Sequence, residues 1–168
     1  VYLPSETVKK RQPIPLARVR KLQGECVRLN DDIRWLVALI SDTGMRLSEA
    51  VGLRHQDLKL DHEVPHVALV PHATRRLKTD SSERVIPLVG ASLWAAQKII
   101  ESDHSEYCFP RYCSDAVCKS NSASAAINKW IKAVVGSNAV IHGFRHGFRD
   151  RLRAVEAPVD MIDQLGGW

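Results

Sequence analysis

The sequence predicts an α+β fold that is mainly α-helical, with one small three-stranded antiparallel sheet. Three observations lead there. Apolar residues recur three or four apart over most of the chain, the spacing of helices that bury one face. Only residues 57–88 break that rhythm, with short runs of Leu, Val and Ile between polar connections. Residues suited to helix ends (Asn30, Gly44, Gly136-Ser137-Asn138, Pro158) punctuate the periodic stretches where the pattern stops.

Taken in order, residues 1–15 carry Lys9-Lys10-Arg11, then Pro13 and Pro15, and little apolar pattern. They read as an interdomain linker or arm, with the folded domain spanning 16–168. Leu16, Val19, Leu22, Cys26 and Leu29 make the first helical stripe. Asn30 resembles an N-cap for the next helix, and Asp31 and Asp32 suit the positive end of its dipole. That helix, to about Asp42, is apolar nearly all round and should be the most buried of the fold. Gly44 suits the turn that follows, and a short helix is expected from Leu47 to Leu53.

Leu58 and Leu60, then Val67, Leu69 and Val70, then Val85, Ile86 and Leu88 form the three strands, and Pro87 favours an edge or a strand end. Helices resume at Leu93 to about Glu101. Residues 103–123, rich in Ser and Cys, read as irregular. Ala125–Val135 is helical again, and Pro158 opens a last helix to about Leu165. Between them lies Ile141-His142-Gly143-Phe144-Arg145-His146-Gly147-Phe148-Arg149. As a helix it aligns Ile141, Phe144, Phe148, Leu152 and Val155 on a core-facing stripe, with Arg145 at its edge and Arg149 further out. Each glycine there costs roughly 1 kcal/mol against Ala in a helix, so something must approach the bare backbone closely.

At 168 residues with 45% apolar content, the chain forms one domain with a real core. The longest apolar run, Trp35 to Ile40, is far too short to span a membrane, and the start lacks the apolar stretch of a secretory signal. A net charge of +5 and a pI near 9.2 point to a polyanionic partner. Cys108, Cys113 and Cys118 recur every five residues below His104, and Cys26 stands apart. With no C-x-x-C pair, free thiols are expected and no metal is assigned, a zinc-binding interaction module being the minor alternative.

Four patterns carry chemistry. Thr43-Gly44-Met45-Arg46-Leu47-Ser48-Glu49 fixes Arg46 at a tight turn, with Glu49 three residues on to orient it. Lys78 lies beside a hairpin turn, in a stretch where Arg75, Arg76 and Arg84 add positive charge. His142 and Arg145 are helix-surface neighbours. Trp168 closes Leu165-Gly166-Gly167-Trp168, and its indole N–H is a donor. Singly, each also reads as ordinary structure: a turn with an ion pair, a solvated basic hairpin, an amphipathic helix, a core aromatic.

In this order the four resemble the catalytic domain of the tyrosine recombinases, the phage-integrase family, over nearly the whole chain from about residue 16. T-G-x-R-x-x-E is met by Thr43, Gly44, Arg46 and Glu49. The hairpin lysine and its R-x-[VI]-P-[LI] strand are met by Lys78, Arg84, Ile86, Pro87 and Leu88. H-x-x-R-H is met by His142, Arg145 and His146, and L-G-[HW] by Leu165, Gly166 or Gly167, and Trp168. The resemblance implies the DNA breaking-rejoining fold, with 16–168 as the catalytic domain. It also implies site-specific recombination or integration through a 3′-phosphotyrosyl intermediate.

Two arginines, Arg46 and Arg145, suit charge building on a phosphate, since their forks match its oxygens and stay charged. By resemblance, Lys78 is the general acid for the 5′-oxygen, His142 exchanges the tyrosine proton, and Trp168 donates to the phosphate or packs the site. Glu49 braces Arg46, and His146 completes the motif. Arg75, Arg76, Arg84 and Arg149 are assigned to DNA contact. No cofactor is implied. The partner implied is double-stranded DNA, with a homotetramer on DNA for the full-length protein, a monomer for this chain alone, and a cytoplasmic, nucleoid-associated location.

The family's nucleophilic tyrosine lies shortly past the position of Trp168, and the role is carried onto none of Tyr2, Tyr107 or Tyr112. The 168-residue chain alone is therefore expected to be unable to cut DNA. The competing reading is a DNA-binding regulator that keeps the fold without cutting. It has no need of Arg46, Lys78, His142 and Arg145 together.

Overall fold

The structure, a computed structural model, describes residues 11–72, 82–102, 105–114, 117–136 and 138–168. Lys78, Arg75, Arg76 and His104 lie outside the described residues.

Seven α-helices and two small sheets make up the described fold. Helix α1 (Leu16–Leu29) buries Val19, Leu22 and Cys26, the inner residues of its stripe. Asn30 does not cap the following helix; it takes the left-handed conformation (φ 48°) and closes α1, donating its N–H to the Cys26 carbonyl. Asn is one of the few side chains that tolerate that region. The true cap of α2 (Asp32–Ser41) is Asp31, whose carboxylate accepts from the Arg34 N–H at 3.0 Å. Every residue from Leu36 to Ser41 is buried. Helix α2 packs against α1 and against α4 (Gly90–Glu101), with α3 (Leu47–Val51), α5 (Ser120–Val135) and α6 (His142–Ala154) around it.

At the end of α2 a single carboxylate gathers three neighbours. Asp42 accepts from Gln23 Nε2 of α1 at 3.0 Å, from the Ala91 N–H of α4 at 3.0 Å and from Arg151 Nη1 of α6 at 2.9 Å. The Ala91 N–H belongs to the first turn of α4, where no intrahelical acceptor exists, so Asp42 satisfies it inside the fold rather than leaving it to water.

The three-stranded antiparallel sheet is present in the order β1 (Leu58–Lys59), β2 (His66–Leu69), β3 (Arg84–Pro87), and Pro87 ends the edge strand β3. Leu60 falls outside β1. Leu69 pairs with Arg84 and Val67 with Ile86, so Arg84 shares the inward face with Ile86. The irregular region holds a second small hairpin, β4 (Cys113–Ser114) with β5 (Val117–Cys118). Cys113 and Cys118 face each other across it as a disulfide, where free thiols were expected; Cys26 and Cys108 are buried thiols outside that bond. Antiparallel partners bring two Cβ atoms within bonding reach, and Cys113 and Cys118 are direct partners in the pair. The disulfide also removes two of the three sulfurs on which the zinc module rested. Helix α5 starts at Ser120, earlier than its apolar stripe.

The glycines of α6 meet the end of the expected linker rather than another helix. A Cβ on Gly143 would lie 2.8 Å from Ile14 Cγ1 and 2.9 Å from the Gln12 carbonyl oxygen. One on Gly147 would lie 3.3 Å from the Ile14 carbonyl oxygen. Ile14 is buried and its N–H donates to the Gly143 carbonyl at 3.3 Å, so the core begins before residue 16. The stripe of α6 is buried at Ile141 and Phe144 and fades outward; Val155 is exposed. Among the described residues no helix is long and apolar enough to cross a membrane.

Candidate active site

The site begins at the turn after α2. Thr43 is fully buried and spends its hydroxyl on the Leu39 carbonyl at 2.7 Å. Gly44 follows at φ 63°, a region that strains any residue with a Cβ. Space demands glycine as well, since a Cβ there would come 2.6 Å from the Phe148 ring of α6. The turn and α6 are therefore in direct contact, and Arg145 Nη1 donates to the Gly44 carbonyl at 2.9 Å. This places Arg145 against the backbone two residues before Arg46.

Arg46 is the N-cap of α3, and Glu49 serves it twice. Glu49 Oε2 accepts the Arg46 backbone N–H at 2.8 Å, and Oε1 accepts Arg46 Nη1 at 2.8 Å. Arg46 Nη2 donates to the Gly167 carbonyl at 3.1 Å, which ties it to the far end of the chain. Arg84, assigned to DNA contact from sequence, is instead buried beneath this group, its side chain 1% exposed. Its Nη1 and Nη2 grip both Glu49 oxygens at 3.1 and 2.9 Å, and its Nε donates to the Leu165 carbonyl at 2.9 Å. Burial pushes the Glu49 carboxyl upward, but the hydrogen bonds and charge of Arg84, then those of Arg46, outweigh it and hold its pKa below the ordinary value. Sequence reading missed this role. The inward phase that Arg84 shares with Ile86 in strand β3 was the available signal.

Helix α6 supplies the other wall. Arg145 is buried rather than at an edge, and its Nη2 has no hydrogen-bond partner among the described residues. Burial, then the nearby Arg46 charge, depresses its pKa to about 10, so it stays charged at neutral pH. Half-buried His142 sits edge-on to His146, with ring centroids 4.9 Å apart. Desolvation, then the charges of His146, Arg11, Arg145 and Arg46, lower the His142 pKa to about 4. It is a neutral imidazole at pH 7, able to accept a proton. A cavity of about 180 Å³ opens beside it, lined by Arg11, Leu47, Asn128 and His142 among others.

Trp168 closes the site from α7 (Val159–Gly166). Gly167 at φ 62° and the N–H groups of Gly167 and Trp168, both donating to the Asp163 carbonyl, turn the chain back. The indole then lies against two guanidinium groups, 4.5 Å from Arg145 and 4.8 Å from Arg149. A Cβ on Gly166 would overlap that ring at 1.9 Å. Arg149 also pairs with Asp163 at 3.6 Å. The fold thus brings Arg46, Glu49, Arg84, His142, His146, Arg145, Arg149 and Trp168 into one cluster from α3, β3, α6 and the end of α7. Tyr107 and Tyr112 are buried in the segment between α4 and β4. Among the described residues no cluster of three or more His, Cys, Asp or Glu is placed to hold a metal ion.

Arg46 and Arg149 lie close enough to Arg145 for their charges to lower its pKa, and a neutral imidazole stands nearby, a set of groups whose chemistry suits an anion and a proton transfer beside it. Solved structures with the same fold include the XerA recombinase, at TM-score 0.72 and 16% identity over 99% of this chain and 57% of that one. The Tn1549 transposon integrase in complex with circular intermediate DNA matches at TM-score 0.72 and 15% identity, over 98% of this chain and 59% of its own. The XerH site-specific recombinase bound to difH substrate, in a pre-cleavage complex, matches at TM-score 0.69 and 17% identity, over 99% of this chain and 50% of its own. The chain spans between half and three fifths of the length of these proteins. No curated protein sequence matches it. A model of the phage integrase family matches residues 18–168, nearly the entire length, and the chain belongs to that family, the tyrosine recombinases.

Proposed function

We propose that this chain is the catalytic domain of a site-specific DNA recombinase or integrase that works by transesterification on double-stranded DNA. The observation that carries the reading is Arg145: a buried, charged guanidinium, set beside Arg46, with one nitrogen that no acceptor among the described residues satisfies. A buried polar group without a partner costs of order 1–3 kcal/mol, more when charged, and a bound phosphate oxygen removes that cost.

In this mechanism a tyrosine supplied by the full-length protein attacks the scissile phosphorus. The new O–P bond forms as the bond to the 5′-oxygen breaks, leaving a 3′-phosphotyrosyl link that conserves the bond for rejoining. Arg46 and Arg145 neutralise the charge growing on the non-bridging oxygens. His142, neutral at pH 7, receives the tyrosine proton, and Lys78 delivers a proton to the departing oxygen. Trp168 packs over Arg145 and Arg149 and holds them facing the phosphate. Arg149, Arg75 and Arg76 contact the flanking backbone. The chain alone binds as a monomer, and the full-length protein assembles as a tetramer on its site; no cofactor takes part.

The test is a suicide DNA substrate, nicked so that the cut strand's short end diffuses away, incubated with the full-length protein. A covalent protein–DNA adduct is expected. Specific binding with no adduct on the correct site would favour the non-cleaving regulator.

A further inference from the structure

We propose that Arg84 is a positioning residue that serves as the counter-ion of Glu49, so that the charge of Arg46 stays unneutralised for the phosphate. The proposal rests on the transesterification reading above. Glu49 faces two arginines but is shared unequally. Arg84 approaches as a two-pronged fork, one N–H to each oxygen, with the two side chains buried at 1% and 5% exposure. Arg46 offers the carboxylate one N–H of its guanidinium, remains 26% exposed on its open side, and turns Nη2 to the Gly167 carbonyl. A carboxylate has one negative charge to give. A bidentate buried fork takes most of it, because charge pairing strengthens as water is excluded. What Arg46 receives from Glu49 is chiefly direction: hydrogen bonds to its backbone N–H and to one Nη.

Arg84 also joins two elements of the site. Its Nε donates to the Leu165 carbonyl while Arg46 holds the Gly167 carbonyl. Both are acceptors at the C-terminal, negative end of α7, where cations are favoured. The same guanidinium that releases Arg46 therefore holds the turn that carries Trp168 over Arg145. Without Arg84, the Glu49 charge would fall on Arg46, and the cationic field at the phosphate would shrink by one unit where it is needed in the transition state.

The experiment uses the full-length protein and single-turnover cleavage of the suicide substrate. Arg84→Met should slow cleavage by about 100-fold or more while changing duplex affinity by less than about threefold, since the lost interaction acts on charge that develops during reaction. The double variant Arg84→Met/Glu49→Gln replaces the buried ion pair by a neutral pair and should fold whether or not the single variant does. It should recover about tenfold or more of the rate lost in Arg84→Met, because the amide oxygen can still accept one of the two Arg46 N–H groups without quenching the guanidinium charge. On a substrate with a neutral methylphosphonate at the scissile position, the Arg84→Met defect should fall below about tenfold, as less charge then needs neutralising.

A merely structural arginine would cost the same on both substrates. The inference is overturned if the folded double variant is as slow as an Arg46→Ala variant, or if the Arg84→Met defect is equal on the two substrates. Failure of the wild-type protein to form an adduct would instead overturn the transesterification reading.

Discussion

Arg145 donates one guanidinium N–H to the carbonyl of Gly44 at 2.9 Å, 101 positions back along the chain, and its Nη2 finds no acceptor among the described residues. One hydrogen bond to a neutral carbonyl is poor compensation for burying a charge. Replacing Arg145 by Met should therefore leave stability unchanged or raise it by up to about 1 kcal/mol, while reducing adduct formation by at least about 100-fold. Chemical denaturation and the suicide-substrate assay on the same preparation check both halves. A loss of stability of several kcal/mol would mean that the guanidinium is structural after all.

The glycines give a contrast within one kind of substitution. Gly24 lies inside α1, and a methyl added there meets nothing within 4 Å among the described residues, so Gly24→Ala should stabilise by about 0.5–1 kcal/mol. Gly143→Ala gains the same helix propensity but drives a methyl into Ile14 and the Gln12 carbonyl, and should lose about 1–3 kcal/mol net. Urea midpoints of the two variants decide it.

Protonation of His142 provides a pH signature. Its folded pKa, about 4, lies below the ordinary 6.5, so the unfolded chain binds the proton more readily. The stability linked to this group is complete above about 6.5 and is lost as pH falls toward 4. His142→Gln should flatten that part of the acid limb, seen as a smaller drop in denaturation midpoint between about pH 7 and pH 4.5. In the wild-type protein, the imidazole resonance should titrate at higher pH once a DNA phosphate sits beside Arg145 and Arg46.

Trp168 rests on two guanidinium groups, and glycine at 166 makes room for it. Gly166→Ala should therefore displace the ring, giving a red-shifted, more solvent-exposed indole emission, and should slow cleavage by about 10-fold or more, as removal of the ring in Trp168→Ala should. Trp168→Phe keeps a flat face over Arg145 and should lose less. If Gly166→Ala leaves emission and rate unchanged, the packing is not what holds the ring.

Duplex affinity of the present chain should fall steeply with salt, because each phosphate neutralised releases counterions. The slope of log K against log salt should shrink by about 1 on Arg149→Ala. A flat response would count against a nucleic-acid partner.

The sequence revealed the order and type of the major elements because most are strongly amphipathic, and period separates α5 and α6 from β2 and β3, while α2 is marked by the length of its apolar run. It erred where local chemistry admits two readings. Asn30 suits either end of a helix, and only the chain direction after Leu29 decides between them. The Cys113–Cys118 bond depends on a two-strand pairing too short to leave a pattern. In the candidate site, the motif spacings singled out Arg46, His142 and Arg145 as expectations. What they could not convey was depth: Arg84 and Arg149 look alike in a string of letters, yet one is sealed under Glu49 and the other is a third exposed. Burial is a property of the assembled strand and helices, so charge alone misplaced Arg84 on the surface.

The strap of residues 12–14 laid along Gly143 and Gly147 has a mechanical consequence. It leads directly from Arg11, which borders the His142 cavity, onto the helix that carries the imidazole and Arg145. A shift of Gln12 or Ile14 would be felt directly at the start of that helix, through the Gly143 contact and the Ile14–Gly143 hydrogen bond. The helix that carries His142 and Arg145 is thus the one on which residues 12–14 are seated.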